Sequence, residues 1–384
     1  MIFTLNQQFN TLYGRQPLLF AAPGRVNLIG EHTDYNEGFV LPGAIDKRIY
    51  VAIHKNDSRQ VNLYSLQYEE QVTLSLDNLQ PRKDWVTYLA GMMFHMQKDG
   101  HKLEGVDVVI GGDVPLGGGL SSSAAVCSSF GFALNDLFCL GLTRMQIALL
   151  GQRTEHTFAG VKTGIMDQFA SLHGKENHVM KLDCRSMEYE YIPFNYPDYK
   201  IVLVNSMVKH SLASSEYNTR RHECEEGVSI LKKHYPEINS LRDVSIEMLN
   251  KHAQELPPVV HKRCAYVINE NNRLLRGCDA LQKHDLKTFG ELMYQSHEGL
   301  SKEYEVSCEE LDFLAGQARG MDYVAGARMM GGGFGGCTIN IVRTDAVNKF
   351  MILMQQRYEN EFGQTPEVYI MQIEDGAKKI GNTL

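Results

Sequence analysis

The sequence predicts an α+β protein, because short β-rich runs and helical segments alternate in both halves of the chain. Residues 106–110 form an apolar run that leads into a glycine-rich turn, and residues 85–96 carry the apolar stripe of a helix. The second half contains long amphipathic segments framed by β-rich runs. Strands are expected at 18–22, 49–53, 61–66, 71–76, 106–110, 178–182, 201–205, 337–342 and 367–372, and helices at 85–96, 143–158, 164–173, 217–234, 261–281 and 286–304.

The chain is long enough for two domains. Its 384 residues exceed the size at which a single hydrophobic core usually keeps growing. The strand expected at 201–205 separates the shorter elements of the first half from the long helices of the second half. We therefore predict an N-terminal domain over residues 1–198 and a C-terminal domain over residues 199–384, with a cleft between them.

The charge balance argues against nucleic acid as a partner. The formal net charge is −8 and the isoelectric point is near 6.0, whereas binding to nucleic acid is driven by basic surface and counterion release. Basic clusters at residues 220–222 and 232–234 are interpreted as solvated helix faces.

The eight cysteines include no C-x-x-C pair and no zinc-like spacing, so we interpret them as reduced, mostly buried thiols. Residues 1–10 lack the basic segment and apolar stretch of a secretory signal, and no apolar run reaches membrane-spanning length. We therefore expect a cytoplasmic protein that does not bind membranes. We also expect it to be a monomer.

The strongest local signal is the run Asp-Val-Pro-Leu-Gly-Gly-Gly-Leu-Ser-Ser-Ser at residues 113–123, which lies between an expected strand and a helix of small residues. Glycines let backbone N–H groups approach an anion, and the start of a helix directs unpaired N–H groups at it. No Gly-Lys-Ser/Thr follows, so this is not a Walker A loop. The hydroxyls of Ser121 to Ser123 have three open roles, which are capping the helix, binding phosphate and ligating Mg²⁺. A glycine-rich turn taken alone is as often only a tight turn.

A second charged segment spans residues 22–35 and reads Ala-Pro-Gly-Arg-Val-Asn-Leu-Ile-Gly-Glu-His-Thr-Asp-Tyr. Its carboxylates can accept hydrogen bonds from paired sugar hydroxyls, and Arg25 can neutralise phosphate charge with its forked donors. Without the other motifs, a polar surface loop would be the simpler interpretation.

Two further carboxylates and a second glycine loop complete the set. Glu155 precedes Asp167, which lies near the start of a predicted helix in Gly-Ile-Met-Asp-Gln at residues 164–168. A carboxylate at that position often only complements the helix dipole. The glycines of residues 330–337 indicate either close backbone packing or the wall of a ligand site. Three glycine-dependent segments and two carboxylates together are hard to explain by packing alone.

These motifs carry a family resemblance. Residues 24–35 resemble the galactokinase signature, and residues 115–123 resemble the phosphate loop of the superfamily that groups galactokinase, homoserine kinase, mevalonate kinase and phosphomevalonate kinase. Further matching segments follow in the family's order and cover nearly the whole chain. They are residues 164–168, 183–186, 214–218 and 331–337. The resemblance implies a ribosomal-protein-S5-like N-terminal domain, a ferredoxin-like C-terminal domain, and an active site in the cleft between them.

The resemblance also implies a role for each site residue. Asp167 matches the catalytic carboxylate, and Arg25 the group that stabilises the transition state. Mg²⁺ would be held by Ser123 and Glu155. The sugar would be bound by Glu31, His32, Thr33, Asp34, Gly164 and Tyr217, and the phosphates of ATP by Gly117, Gly118, Gly119, Leu120, Ser121, Ser122 and Ser123.

The implied reaction transfers the γ-phosphoryl group of ATP to the C1 hydroxyl of α-D-galactose, the entry step of the Leloir pathway. Galactose and ATP are the expected partners, and Mg²⁺ is the expected cofactor. Trp85 is left with two interpretations, stacking on the nucleotide base or packing in the core, of which the core is favoured.

There are three alternative functions for a chain with these motifs. A related kinase acting on N-acetylgalactosamine, arabinose or a non-sugar alcohol would share these motifs, although the segment from Glu31 to Asp34 favours an aldose. A non-catalytic galactose and ATP sensor is disfavoured by the intact Arg25 and Asp167. A nicotinamide dehydrogenase is disfavoured because no G-x-G-x-x-G follows the first strand.

Overall fold

The computed structural model describes residues 1–115, 118–208 and 213–381. The described part alternates helices and strands throughout, so the α+β class is confirmed. In the first half the elements are α1 (Ile2–Tyr13), β1 (Leu18–Asn27), β2 (Phe39–Val40), β3 (Pro42–Lys55), β4 (Gln60–Ser65), β5 (Glu70–Ser75), α2 (Val86–Lys98), β6 (Val106–Gly112), α3 (Ser122–Leu137), α4 (Arg144–Thr154), α5 (Met166–His173), β7 (His178–Asp183) and β8 (Tyr189–Pro193). In the second half they are β9 (Tyr199–Asn205), α6 (Ala213–Leu231), α7 (Ile246–Lys251), α8 (Pro258–Gln282), α9 (Leu286–Lys302), α10 (Glu309–Arg319), β10 (Val324–Met329), β11 (Cys337–Arg343), α11 (Val347–Phe362), β12 (Glu367–Met371) and β13 (Lys378–Ile380).

The first half is built on a sheet that, within the described residues, has six strands in the order β13-β1-β3-β6-β4-β5. The pairing is antiparallel except between β4 and β6. Helix α3 packs across β1 and β3, and its run of Ser, Ala, Cys and Gly residues lets it lie close to the sheet. The start of α3, which follows the first glycine loop, therefore lies beside β1.

The second half is built on an antiparallel sheet whose described strands have the order β10-β11-β9-β12. Strand β9 is buried on both faces. Ile201 and Leu203 pack in the core shared with the first half, and Val202 and Val204 pack against the core beneath α10 and α11. Burial on both faces explains why this strand reads as a continuous apolar run rather than an alternating one.

The two halves share structure at the end of the chain. Strand β13 pairs with β1, with Leu19 opposite Ile380, so the last strand joins the first sheet. The largest hydrophobic core also crosses the predicted junction, since it contains Phe20 together with Leu203 and Ile339. The boundary between residues 198 and 199 remains a proposal, and β13 is the segment that returns across it.

Several elements were absent from the sequence prediction. Helices α1 and α10 and strands β8 and β10 were not expected at those positions. The predicted helix at 143–158 is α4 followed by a π-helical turn, Glu155–Ala159. Such turns often mark functional positions. Within the described residues, no helix combines the length and apolarity needed to cross a bilayer.

A close helix-to-strand contact holds the second half together. A Cβ atom built on Gly290 of α9 would lie 1.7 Å from the carbonyl oxygen of Ala325 in β10. A backbone oxygen cannot move aside as a flexible side chain can, so a glycine is required where α9 crosses β10. Gly316 of α10 has nothing within 4 Å of the same built position, and it provides a matched control.

We predict that Gly290→Ala lowers the free energy of unfolding by about 2–4 kcal/mol, because α9 and β10 must separate to admit the methyl group. Gly316→Ala should be neutral or stabilising by up to about 1 kcal/mol, because alanine is the better helix former. Denaturant midpoints of the two variants and the parent check this. Equal midpoints for both variants would contradict the packing described.

Candidate active site

A bulge in β1 places the first catalytic candidate. The register between β1 and β3 shifts between Pro23 and Arg25, which re-aims the side chain that follows. Gly24 permits the loop before α3 to approach, since a Cβ atom there would lie 2.6 Å from the carbonyl oxygen of Leu120. The backbone N–H of Arg25 donates to that same oxygen at 3.2 Å. The charged segment of residues 22–35 and the glycine loop before α3 are thereby held together.

Asp167 is held at both carboxylate oxygens. Arg25 Nε donates to Oδ1 at 2.8 Å, and the hydroxyl of Ser121 donates to Oδ2 at 2.5 Å. Arg25 Nη1 also donates to the carbonyl oxygen of Gly119 at 2.6 Å. Burial works against the charge of Arg25, but the carboxylates of Asp167, Glu31 and Asp34 outweigh it, so the pKa of Arg25 lies above its ordinary value. Arg25 is therefore a permanent cation beside the carboxylate.

Arg25 and Asp167 face a cavity of about 200 Å³. This volume is below the range of about 300–1,000 Å³ that is common for drug-sized ligands, so it suits one small molecule. Most of its lining residues have polar or charged side chains. It is lined by Arg25, Glu31, His32, Asp34, Thr163, Gly164, Met166, Asp167, Tyr217, Gly331 and Gly332.

Asp34 approaches the backbone of Gly164 so closely that no side chain would fit there. A Cβ atom on Gly164 would lie 1.7 Å from Asp34 Oδ2, while Asp34 Oδ1 accepts the N–H of Tyr35 at 2.9 Å. Burial and the nearby carboxylates of Asp167 and Glu31 raise the pKa of Asp34 to about 7, although Arg25 opposes them. Near neutral pH, Asp34 can therefore either accept or donate a hydrogen bond.

Glu31 is anchored by a buried arginine that the sequence prediction missed. Arg328, which has no exposed surface, donates through Nη2 to Glu31 Oε1 at 2.9 Å, and the N–H of Gly331 donates to the same oxygen at 2.8 Å. The other donors of Arg328 bind the carbonyl oxygens of Asn27, Leu28 and Met329. A lone charge in the otherwise apolar strand Val324–Met329 was the available sequence signal.

His32 and Tyr217 form one wall of the cavity. Their rings lie 5.1 Å apart between centroids. His32 is only 4% exposed, and its two nitrogens contact the hydroxyl of Tyr35 at 2.7 Å and the carbonyl oxygen of Gly332 at 3.1 Å. The second glycine loop, which contains Gly332, therefore forms part of the cavity wall. It also packs closely against the backbone, since a Cβ atom on Gly333 would lie 2.1 Å from the carbonyl oxygen of Val306.

Thr33 and Leu120 do not line the cavity. Thr33 is fully buried and its hydroxyl is bonded to the carbonyl oxygens of Gly30 and Phe39, so it supports the loop and does not line the cavity. Leu120 is 1% exposed and contributes its backbone carbonyl. Gly117 lies outside the described residues.

The hydroxyls of Ser121 and Ser123 bind different carboxylates. Ser121 adopts a left-handed conformation with φ of 57° and makes no side-chain capping bond, so helix capping is wrong for this residue, and its hydroxyl binds Asp167. Ser123 donates to Glu155 Oε1 at 2.9 Å. Glu155 Oε2 accepts the hydroxyl of Thr163 at 2.5 Å. Burial raises the pKa of Glu155, partly offset by these hydrogen bonds.

Ser122 and Ser123 also line a second, larger cavity of about 660 Å³. Trp85 and Tyr68 lie on its wall with their rings stacked, 6.3 Å between centroids and 18° between planes. Trp85 is half-buried, and its Nε1 donates to Glu70 at 2.9 Å. Trp85 therefore faces a cavity next to the serine run, rather than being enclosed in the core.

Residues 87–175 match the family model "GHMP kinases N terminal domain" and residues 279–352 match "GHMP kinases C terminal". Together with the fold, these matches place the chain in the GHMP kinase class. The crystal structure of Methanococcus jannaschii mevalonate kinase has the same fold, with a TM-score of 0.65 at 17% identity over 94% of this chain and 99% of that chain.

Residues 7–55 match the "Galactokinase galactose-binding signature". Galactokinases of Clostridium acetobutylicum and Roseiflexus sp. (strain RS-1) are 41% and 39% identical, over 99% and 98% of this chain and 99% and 96% of theirs. The crystal structure of Lactococcus lactis galactokinase complexed with galactose gives a TM-score of 0.95 at 35% identity, over 99% of this chain and 100% of that chain. The chain belongs to the galactokinase family.

Asp34 provides a pH test of the site. Its folded pKa of about 7 lies above the ordinary value, so its stability contribution is complete below about pH 4 and is lost as pH rises through 7. Asparagine cannot ionise, so Asp34→Asn avoids this pH-dependent loss of stability. Its amide oxygen can still accept the hydrogen bond from the N–H of Tyr35. We expect the variant to be more stable than the parent by roughly 2–4 kcal/mol at pH 8, and less so at pH 5, since one pKa unit corresponds to about 1.4 kcal/mol.

Unfolding curves of both proteins in ligand-free buffer at pH 5, 6, 7 and 8 measure this difference. A difference that does not change with pH would show that Asp34 titrates in its ordinary range. Such a result would contradict the electrostatic environment set by Asp167, Glu31 and Arg25.

Proposed function

We propose that this chain transfers the γ-phosphoryl group of ATP to the C1 hydroxyl of α-D-galactose, with Asp167 and Arg25 at the reacting atoms. The observation that carries the proposal is the fixed placement of Asp167, whose two oxygens are bound by Arg25 and Ser121 at the edge of a small polar cavity. Ser121 opens the helix whose next residues line the larger cavity, so the two ligand sites meet at this carboxylate.

The sugar occupies the smaller cavity in this proposal. Asp34 and Glu31 accept hydrogen bonds from its hydroxyls, and Gly164 provides the space for Asp34. A site built from buried hydrogen-bonding groups rejects analogues that leave those groups unpaired. Selectivity among aldoses therefore depends on these carboxylates and on the wall formed by Tyr217.

Asp167 orients the C1 hydroxyl and accepts its proton. A carboxylate has about four acceptor positions, so two occupied ones leave room for the sugar hydroxyl. A carboxylate is too weak a base to deprotonate a sugar hydroxyl in advance. Proton transfer is therefore late, when the oxygen becomes acidic on bonding phosphorus. Arg25 neutralises charge on the transferred group, and phosphoryl transfer depends mainly on such positioning and charge neutralisation.

The phosphates lie at the start of α3 in this proposal. Gly118, Gly119, Ser122 and Ser123 surround the N-terminus of that helix, which attracts anions. The nucleotide base then occupies the 660 Å³ cavity against Trp85 and Tyr68, because the wall that contains these rings is continuous with Ser122 and Ser123.

Ser123 and Glu155 fit a magnesium ion. Both side chains offer oxygen ligands, and Ser123 Oγ lies 2.9 Å from Glu155 Oε1. Mg²⁺ is usually bound by one or two protein groups together with water and substrate phosphates. The raised pKa of Glu155 reflects a buried carboxylate that a cation would stabilise in its charged form. When bound, the ion neutralises phosphate charge, and Thr163 holds the second oxygen of Glu155 in place.

We also propose that the protein acts in the cytoplasm as a monomer. The described structure contains free cysteines, of which Cys127, Cys224 and Cys337 are among the buried ones. Unpaired thiols of this kind are typical of a reducing compartment.

Asp167→Asn tests the catalytic assignment. We expect kcat to fall by about 10²–10⁴, while galactose affinity measured by calorimetry is retained, because asparagine can still accept the hydrogen bond from Arg25. Asp279→Asn, at an exposed position of α8, is the matched control and should behave like the parent. A kcat close to that of the parent in Asp167→Asn would remove this residue from the mechanism.

ADP release over a panel of aldoses, with and without Mg²⁺, tests the substrate. We expect the highest kcat/KM with galactose and loss of turnover without the ion. Faster turnover of N-acetylgalactosamine or arabinose would identify a related sugar kinase. Binding of galactose and ATP without ADP release would indicate the non-catalytic sensor.

A further inference from the structure

His32 is more constrained than a residue that only lines a cavity. It adopts a left-handed backbone conformation with φ of 62°, it is 4% exposed, and both of its ring nitrogens have protein partners. Its ring also lies 4.9 Å from that of Tyr304 and 5.1 Å from that of Tyr217. Neither nitrogen is left free to hold a substrate hydroxyl.

The partners of His32 determine its tautomer. The carbonyl oxygen of Gly332 can only accept, so the proton must lie on Nε2. In the neutral ring Nδ1 is then an acceptor, and the hydroxyl of Tyr35, 2.7 Å away, must donate to it. The opposite tautomer would direct a lone pair of Nε2 at the carbonyl oxygen of Gly332, which is unfavourable.

The direction of the bonds continues through two more side chains. Because Tyr35 donates its hydroxyl hydrogen to His32, its oxygen accepts a hydrogen bond from the hydroxyl of Tyr304 at 2.8 Å. Tyr304 in turn can accept from the thiol of Cys224, whose sulfur lies 3.2 Å from it. The chain therefore runs from Cys224 through Tyr304 and Tyr35 to His32, and ends at the carbonyl of Gly332.

The surroundings keep every member of this chain uncharged. Burial lowers the pKa of His32 to about 3, with the cations Arg220 and Arg328 acting in the same direction and the carbonyl of Gly332 opposing them. Burial also raises the pKa of the Tyr35 and Tyr304 hydroxyls well above the ordinary value, and that of the Cys224 thiol to about 12. Other ionisable groups that line the cavity with His32 are Arg25, Glu31, Asp34, Asp167 and Tyr217.

This chain joins segments that are distant in sequence. His32 and Tyr35 belong to the loop after β1, Cys224 lies in α6, Tyr304 follows α9, and Gly332 belongs to the loop after β10. Gly331, the neighbour of Gly332, donates its N–H to Glu31. The position of the glycine loop therefore affects the carboxylate of Glu31 as well as the cavity wall.

We propose that His32 is a positioning residue for the sugar site rather than a ligand or a base, and that Tyr35, Tyr304 and Cys224 hold its imidazole as the neutral Nε2–H tautomer. The proposal takes the small cavity as the sugar site and in that respect rests on the proposed function. Its effect is to fix the glycine loop, and with it Glu31, at one wall of the cavity.

The first test is spectroscopic and uses the ligand-free protein. Long-range ¹H–¹⁵N spectra of ¹⁵N-histidine-labelled protein should show one ring with the Nε2–H pattern that does not titrate between about pH 5 and 8. Its signals are assigned by their loss in His32→Gln. An Nδ1–H pattern, or titration at the ordinary histidine pKa, would overturn the proposal. Where His32→Gln folds poorly, loss of the same signals in His32→Asn provides the assignment.

The second test separates positioning from general stability. Tyr35→Phe leaves Nδ1 without its donor, so the KM for galactose should rise about tenfold, with a smaller change in kcat and no change in the KM for ATP. The control is Tyr294→Phe, because the hydroxyl of Tyr294 is buried with no hydrogen-bond partner among the described residues. It should leave all three constants unchanged. Equal effects of the two variants, or equal increases in the KM for galactose and the KM for ATP, would overturn the proposal.

A conservative replacement completes the test. His32→Gln retains an N–H near the position of Nε2, so it should raise the KM for galactose less than His32→Ala does. Identical constants for the two variants would show that the bond to Gly332 contributes nothing, contradicting the proposal. Failure of the proposed function would be distinguishable, because the parent would then make no ADP from galactose while the tautomer of His32 stayed as described.

Discussion

The site depends on the contact between Arg25 and Asp167. One carboxylate holds a bulged strand, the start of α3 and the start of α5 together, since it accepts from Arg25 and Ser121. Arg25 extends the link to the carbonyl of Gly119. Both side chains are largely buried, and each charge offsets the cost of desolvating the other. The geometry of the candidate site is therefore set by the same bonds that close the fold around the cavity.

Two fully buried charged side chains that hold the loop of Glu31, Arg328 and Glu270, have specific partners. Arg328 places a guanidinium with no exposed surface against Glu31 and three carbonyl oxygens. Glu270, also fully buried, accepts from the N–H of Gly30, the hydroxyl of Ser296 and Arg273. Such bonds offset the cost of desolvation and restrict the loop that contains Glu31 to one conformation. Preorganisation of this kind reduces the rearrangement required when a polar substrate binds.

The sequence allowed prediction of the α+β class and of the residues that meet at the cavity, because glycines, carboxylates and apolar periodicity are local signals. Arg25, Asp34, Gly164 and Asp167 do converge there. The sequence did not reveal that Thr33 faces the loop interior, that Ser121 binds Asp167, or that Arg328 anchors Glu31. These contacts join residues 46 to 297 positions apart or depend on a single backbone turn, and neither is visible in composition or spacing. Strand β13 was missed for the same reason, since it is defined by pairing with β1.

In the proposed reaction, a sugar hydroxyl lies between Asp167 and the terminal phosphorus of ATP. A crystal structure with galactose, Mg²⁺ and a non-hydrolysable ATP analogue measures this directly. The account predicts the C1 oxygen within about 2.6–3.2 Å of a carboxylate oxygen of Asp167 and about 3–3.5 Å from the γ-phosphorus, in line with the leaving oxygen. A sugar bound with C1 turned away from Asp167, or bound outside the cavity that contains Arg25 and Asp34, would contradict it.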